Sequence, residues 1–179
     1  MRVLVTASRK WSEPRIIEGY LEDLYQWWLD QHPGPAERFI VVHGKARGGD
    51  TIAMEWVQQR RRWDQRIDHE PHPADWNTPC GEHCHHQRRR RDGTTFYACA
   101  GYVRNQEMVD SNIDVCMGFP LDGPGTPGCL ELARDVAETY RYADGRMTYL
   151  EPRKVPAVAG TLSGAPPMPN REAGSTTCP

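Results

Sequence analysis

Short runs of β-branched residues alternate along this chain with longer segments of helical periodicity, and that alternation restricts the fold more than any other feature. Val3–Thr6 reads as an opening strand that runs straight into Ala7, Ser8 and Arg9. Ser12 is placed to cap a helix with Pro14 in its first turn, where a missing N–H costs nothing. Ile16, Ile17, Tyr20, Leu21, Leu24 and Trp28 follow at helical spacing until Pro33-Gly34-Pro35 ends the segment. Phe39–Val42 is a second strand closing on His43-Gly44. The helix after Gly48-Gly49-Asp50 puts Ile52, Ala53, Trp56 and Val57 on one face, with Asp50 as its natural N-cap. Arg66–Glu70 is a weaker third strand. Beyond Ala98, order returns with a helix over Ala100–Ser111, a strong strand over Ile113–Phe119 and a Pro/Gly loop over Pro120–Gly128. A helix through Leu130, Leu132, Ala133, Val136, Ala137 and Tyr140 and a last strand at Met147–Leu150 complete the order.

This β-α-β-α-β-insert-α-β-α-β sequence predicts an α/β fold, a Rossmann-like three-layer domain with a mostly parallel sheet of about five strands. The expected domain spans residues 1–150, with residues 77–99 as a small Cys/His-rich insert. Residues 151–179, rich in Pro, Ala, Gly, Ser and Thr, read as a disordered tail. A chain of 179 residues suits one compact domain with an appendage.

In such sheets ligands lie outside the carboxyl ends of the strands, where strand order reverses. That rule selects as pocket walls Thr6–Arg9, including Ser8, the loop His43–Asp50, the segment reaching Asp75 and Trp76, and the loop after Phe119. In HGKARGGD, glycines Gly44 and Gly48 and the following helix start let backbone amides approach an anion, with Arg47 beside them. The motif lacks the form of a P-loop or GxGxxG, and a tight strand–helix turn accounts for it equally well. Gly123-Pro124-Gly125-Thr126 repeats the same logic before a second helix. Two such loops on one sheet edge favour a phosphate or sugar pocket. Arg9 and Arg104 are suited to phosphate or carboxylate, with Asn105 and Glu107 sharing the local surface of Arg104. Surface salt bridging is the plain alternative.

The net charge of −2 makes the whole protein a poor electrostatic partner for nucleic acid. The basic runs Arg60–Arg62 and Arg88–Arg91 read first as solvated faces and second as phosphate-contacting surface. No window is apolar enough to span a membrane. The apolar start is too short for a signal peptide, and a cytoplasmic location is expected.

Of the six cysteines, Cys80, Cys84 and Cys99 fall in one stretch interleaved with His83, His85 and His86. Clustered thiols with histidines point to metal rather than disulfides. Zinc prefers four tetrahedral thiolate or imidazole ligands, and chelation would order a stretch that has no apolar core. The expected ligands are Cys80, Cys84, Cys99 and one histidine, with His86 ahead of His85 and His83. Four protein ligands leave no open position, so a structural Zn2+ is expected.

The set VLVTASRKW, VVHGKARGGDTIAMEW, PADW, AGYVRNQEMV, IDVCMGFP and GPGT resembles, in that order, the YspA-like, cpYpsA-related branch of the SLOG superfamily. The resemblance runs from about Arg2 to Tyr140 and implies a Rossmann-like fold that binds nucleotides or nucleotide-derived small molecules. The superfamily also contains LOG-type phosphoribohydrolases, which this chain resembles in Arg104 and in the Gly125-Thr126 loop. In those enzymes a glutamate follows the threonine closely; here Pro127, Gly128 and Cys129 follow, and Glu131 comes later. Cleaving a glycosidic bond needs a carboxylate beside the developing oxocarbenium charge. Asp75, Glu107 and Glu131 are the substitutes the sequence offers. Ala7 also stands where the branch commonly has glycine, and the Cys/His insert resembles a zinc-bearing variant. Related SLOG proteins often associate; Trp27-Trp28 fits an interface between copies, and core packing accounts for the pair as well.

The leading expectation is a sensor or processing protein that binds a nucleotide-type small molecule at the carboxyl edge of the sheet. The alternatives are an N-glycosidic hydrolase acting on nucleotides and a nucleic-acid-associated protein using the basic insert.

Overall fold

In the computed structural model, residues 1–153 are described. The chain runs β1 (Arg2–Ala7), α1 (Pro14–Gln31), β2 (Phe39–His43), α2 (Gly49–Arg60), β3 (Ile67–Pro71), β4 (Gln87–Arg89), β5 (Thr95–Tyr97) and α3 (Ala100–Val109). It continues through β6 (Val115–Phe119), α4 (Gly125–Ala133), β7 (Glu138–Ala143) and β8 (Arg146–Tyr149). Six strands form one sheet in the order β3-β2-β1-β6-β7-β8, and β4 pairs with β5 in a separate antiparallel hairpin. All pairings in the large sheet are parallel except β7 with β8.

Both faces of the sheet are covered, which is why its central strands are apolar without alternation. Val3 and Val5 of β1, Val41 of β2 and Met117 of β6 bury against Ile17, Leu21 and Trp28 of α1 and Ala53 and Val57 of α2. Leu4, Val42 and Cys116, one residue out of phase, bury against Met108 of α3 and Leu130 of α4 on the other face. Period-two side-chain alternation thus feeds two cores from the same strands. Trp28 is fully buried, so the Trp27-Trp28 pair serves core packing at least through its second member.

The α/β architecture follows the expected one, and the mostly parallel sheet expected to have about five strands has six. Three details differ. The helix expected to reach Tyr140 ends at Ala133, Val136 stands exposed, and Tyr140 belongs to β7. ETYRYA is rich in β-branched and aromatic residues, and Asp144 and Gly145 turn it into β8 with positive φ at both positions. Ser12 is not the N-cap of α1; Glu13 is, and Pro14 opens the helix. Asp50 is not the N-cap of α2 either: Gly48 occupies that position, and Asp50 lies inside the first turn. Pro71 closes β3 at the sheet edge, where a missing N–H breaks no ladder.

No helix among the described residues is long and apolar enough to cross a membrane. Most of the tail expected to be disordered, residues 154–179, lies outside the described residues.

Candidate functional site

From β1 the chain builds outward through β2 to β3, then crosses to β6 on the opposite side, so strand order reverses between β1 and β6. A crevice opens at their carboxyl ends. The Ser8 amide bonds the Phe119 carbonyl at 3.0 Å, so β1 and β6 stay joined one residue past Ala7. Above this point lie two adjoining cavities of about 520 and 570 Å³ that share Arg9, Ala46, Arg47, Trp76 and Arg104 in their walls. Each is in the usual size range of a small-molecule site.

The first compartment is cationic. Arg9, Lys45, Arg47, Arg90 and Arg104 line it together with Trp76 and Phe96, and among the described residues no Asp or Glu side chain does. The Arg9 guanidinium carbon is 5.0 Å from the Trp76 ring centroid, and that of Arg90 is 4.6 Å from Phe96. The two rings meet edge to face at 6.1 Å. The second compartment is more neutral and is walled by Thr6, Ser8, Asn105, Gly125 and Thr126, with Asp50 at its margin.

The loop HGKARGGD is shaped by side chains beneath it. His43 is fully buried; its Nδ1 accepts the Lys45 amide at 3.1 Å, which leaves Nε2 to donate to His69 Nδ1 at 3.0 Å. Burial, and then the neighbouring His69, lower the His43 pKa to about 4, so the ring is neutral near pH 7. Lys45 takes a left-handed φ of 51°, uncommon for a residue with a β-carbon. Gly48 has φ 81°, and a β-carbon there would stand 2.6 Å from the Ser8 carbonyl.

Arg104 spans the site from α3. Its Nη1 donates to the Gly44 carbonyl at 2.9 Å and lies 3.9 Å from the Asp50 carboxylate, while Nε donates to Asn105 at 3.0 Å. Asn105 in turn donates to the Gly125 carbonyl at 3.1 Å, tying α3 to the glycine loop. Asp50 accepts the Ala46 amide at 3.1 Å, and burial raises its carboxyl to about 6.

The expected pocket residues therefore divide. Thr6, Ser8, Arg9, Gly44, Arg47, Asp50, Trp76, Arg104, Asn105, Gly125 and Thr126 line one or both compartments. His43 and Gly48 support the loop from below and line neither. The three carboxylates considered for catalysis also lie off the cleft. Asp75 is exposed and caps its own turn through Thr78 at 2.6 Å, Glu107 is exposed on α3, and Glu131 pairs with Arg134 and Arg153. The carboxylates that do border the cleft are Asp122, which pairs with Lys10 at 3.2 Å, and the buried Asp50, whose place in the sequence reads as a helix cap. Lys45, Arg90 and Phe96 are wall residues that the sequence did not single out. Arg90 lies within a basic run, and nothing in that run distinguishes it. Of the other run, Arg60 pairs with Glu22 and Arg61 with Asp68.

In the insert, Cys80, Cys84, His86 and Cys99 come together with all four ligand atoms within 4.8 Å of one another. Cys84 Sγ lies 3.4 Å from Cys80 Sγ and 3.5 Å from Cys99 Sγ, and His86 Nδ1 is 3.5 and 3.6 Å from Cys80 and Cys84. Thiolates bound ~2.3 Å from a tetrahedral zinc stand ~3.8 Å apart, so small movements would seat an ion. This cluster can hold a metal ion. His83 and His85 are exposed and stand outside it.

The family model for the YspA, cpYpsA-related SLOG family matches residues 1–78. The chain is also 34% identical over 134 residues to the Gene 61 protein of Mycobacterium phage D29, covering 74% of this chain and 88% of that protein. No solved structure matches it significantly.

Proposed function

The chain belongs to the YspA, cpYpsA-related SLOG family, and on that premise we propose that it binds a nucleotide or nucleotide-derived small molecule in the cleft at the carboxyl edge of its sheet. One observation carries the proposal: the first compartment of the cleft gathers five cationic side chains and two aromatic rings, with no carboxylate of the described residues in its wall. Guanidinium groups pair with phosphate oxygens, and aromatic rings in a wall offer surface on which a base stacks. The glycine loop before α4 and the polar groups of Ser8, Thr126 and Asn105 suit a sugar or a second anionic group. Mass spectrometry of small molecules retained by natively purified protein, followed by calorimetry with nucleotides, tests it. Retained or titrated nucleotide, lost in Arg104→Ala, is the expected result. Nucleotides and nucleosides that all fail to bind at millimolar concentration would sink the reading.

The Cys80, Cys84, His86 and Cys99 set is assigned to a structural zinc ion. Three thiols and one imidazole match zinc's preference, and four protein ligands leave no position for substrate. The insert has no buried core of its own, so chelation would supply the folding energy that apolar burial does not.

A second reading, hydrolysis of an N-glycosidic bond, is favoured by Asp50. It is a buried carboxyl raised to about 6 at the cleft margin, beside a guanidinium. Release of free base from a nucleoside monophosphate, abolished in Asp50→Asn, would establish it; binding without release supports the first reading.

A further inference from the structure

We propose that the cationic compartment is a polyphosphate subsite whose outer wall, Arg90 and Phe96, is set in place by metal binding at the Cys80, Cys84, His86 and Cys99 cluster. The inference deepens the nucleotide reading and rests on it for the location of the cleft.

The charge pattern gives the ligand class. Among the described residues, Arg9, Lys45, Arg47 and Arg90 form no ion pair with any carboxylate, although other arginines of the chain do. Unit charges a few ångströms apart repel by roughly 1 kcal/mol even at the dielectric of water, and more where they are partly shielded. Four cations outside any ion pair, of which Arg90 feels the nearby carboxylate of Asp92, and the buried Arg104 around one cavity of about 520 Å³ exceed what a single phosphate neutralises. Two or three linked phosphates match the charge of the wall. A nucleoside polyphosphate and free inorganic polyphosphate share that chemistry.

The wall itself is built from two sources. Arg9 and Trp76 come from the sheet edge, and Phe96 and Arg90 from the hairpin of β4 and β5, so that guanidinium, indole, phenyl and guanidinium form one continuous row of contacts, with the two rings edge to face. That hairpin pairs three residues with three and contributes nothing to either buried core. A two-stranded hairpin of this kind is marginal by itself. Three of the metal ligands immediately precede β4, and the fourth, Cys99, follows β5. The Ala98 amide bonds the His86 carbonyl at 2.8 Å and the Tyr97 amide bonds the Trp76 carbonyl at 2.9 Å, so the ion would close the hairpin at its open end. Cys99 is also the N-cap of α3, the helix that carries Arg104. An ion at the cluster would therefore fix both walls of the compartment against each other.

The test uses the full chain, zinc-loaded or stripped by a chelator, and titrates it with inorganic tripolyphosphate, ATP and AMP, while hydrogen exchange follows residues 87–97. In the loaded protein, tripolyphosphate and ATP are expected to bind at least about tenfold tighter than AMP, as two further charge-assisted contacts would give. Arg90→Ala is expected to lose about tenfold for tripolyphosphate. Arg88→Ala, from the same basic run but bonded to the Gln87 carbonyl and outside the wall, should lose nothing. Stripping zinc should lower tripolyphosphate affinity and speed exchange in the hairpin while leaving β1 and β6 protected, and Arg90→Ala should then have no further effect. AMP binding as tightly as tripolyphosphate, or Arg88→Ala equalling Arg90→Ala, overturns the subsite. Unchanged hairpin exchange after zinc removal overturns the clamp, whatever binds. ATP binding without tripolyphosphate binding ascribes affinity to the nucleoside and refutes the subsite while the nucleotide reading stands.

Discussion

The Nη1 of Arg104 donates a 2.9 Å hydrogen bond to the carbonyl of Gly44, sixty residues earlier in the chain. That bond joins α3 on one face of the sheet to the loop after β2, and glycine makes it sterically accessible. A β-carbon on Gly44 would collide with the guanidinium and stand 2.9 Å from the Asp50 carboxylate. Gly44→Ala is therefore expected to destabilise the protein by about 1–3 kcal/mol, the usual cost of overpacking. Urea unfolding checks this; a change within about 0.5 kcal/mol, typical of an inert surface position, would show that Arg104 moves aside freely.

Lys45 separates stability from binding. Its left-handed backbone costs roughly 1–2 kcal/mol, partly offset by the entropy that glycine loses on folding. Lys45→Gly should raise stability by about 0.5–1 kcal/mol while weakening tripolyphosphate binding about two- to fivefold, the value of one exposed ion pair. Thermal unfolding and calorimetry on the same preparation read the two effects; a loss of stability would contradict the backbone argument.

His43 and Asp50 give opposite pH slopes. The His43 pKa is about 4 in the fold against 6.5 ordinarily, so the unfolded chain holds more protons in that window. Its contribution to stability is full above 6.5 and lost as pH falls toward 4. Asp50 is raised to about 6 from 3.8, so the folded chain holds the extra proton and its contribution is lost as pH rises from 3.8 to 6. Between about pH 4 and 6 the two oppose each other, each at up to ~1.4 kcal/mol per pH unit. Relative to the parent, Asp50→Asn should gain stability as pH rises through that window, and His43→Asn should lose it. Denaturant titrations at three pH values measure both differences; parallel curves for all three proteins would refute the assignment.

Zinc content is expected at one equivalent per chain and should fall below about a tenth in Cys84→Ser, because three remaining ligands bind far more weakly. Elemental analysis of protein purified without chelator decides it. Retention of a full equivalent by the variant would place the ion elsewhere.

Hydrophobic periodicity made β1, α1, β2, α2, α3 and β6 legible from sequence, because apolar burial on both faces of a parallel sheet writes itself as uninterrupted β-branched runs. It misassigned residues 134–140. The buried face of Leu130 and Ala133 continues by spacing to Ala137 and Tyr140, while Asp144-Gly145 is the hairpin signal that places Tyr140 in a strand. The metal cluster was legible because thiols and imidazoles in one stretch can meet whatever the surrounding fold does.

The succession of strands and helices, the mostly parallel sheet and the cysteines of the insert cluster follow from the amino-acid sequence, through local periodicity and the chemistry of residue types; the spatial strand order, its reversal between β1 and β6 and the choice of His86 were set by the tertiary structure. Which side chains face the cleft was decided by tertiary structure. His43 and Asp50 sit close together in HGKARGGD, yet one is sealed beneath the loop and the other borders the cavity, because their surroundings come from β3, α3 and the turn after β1. Arg90 and Arg88 are separated by one residue, and only the packing of Phe96 against Trp76 brings Arg90 to the wall. Contacts between residues far apart in sequence leave no local pattern, and the composition of this cleft depends on such contacts.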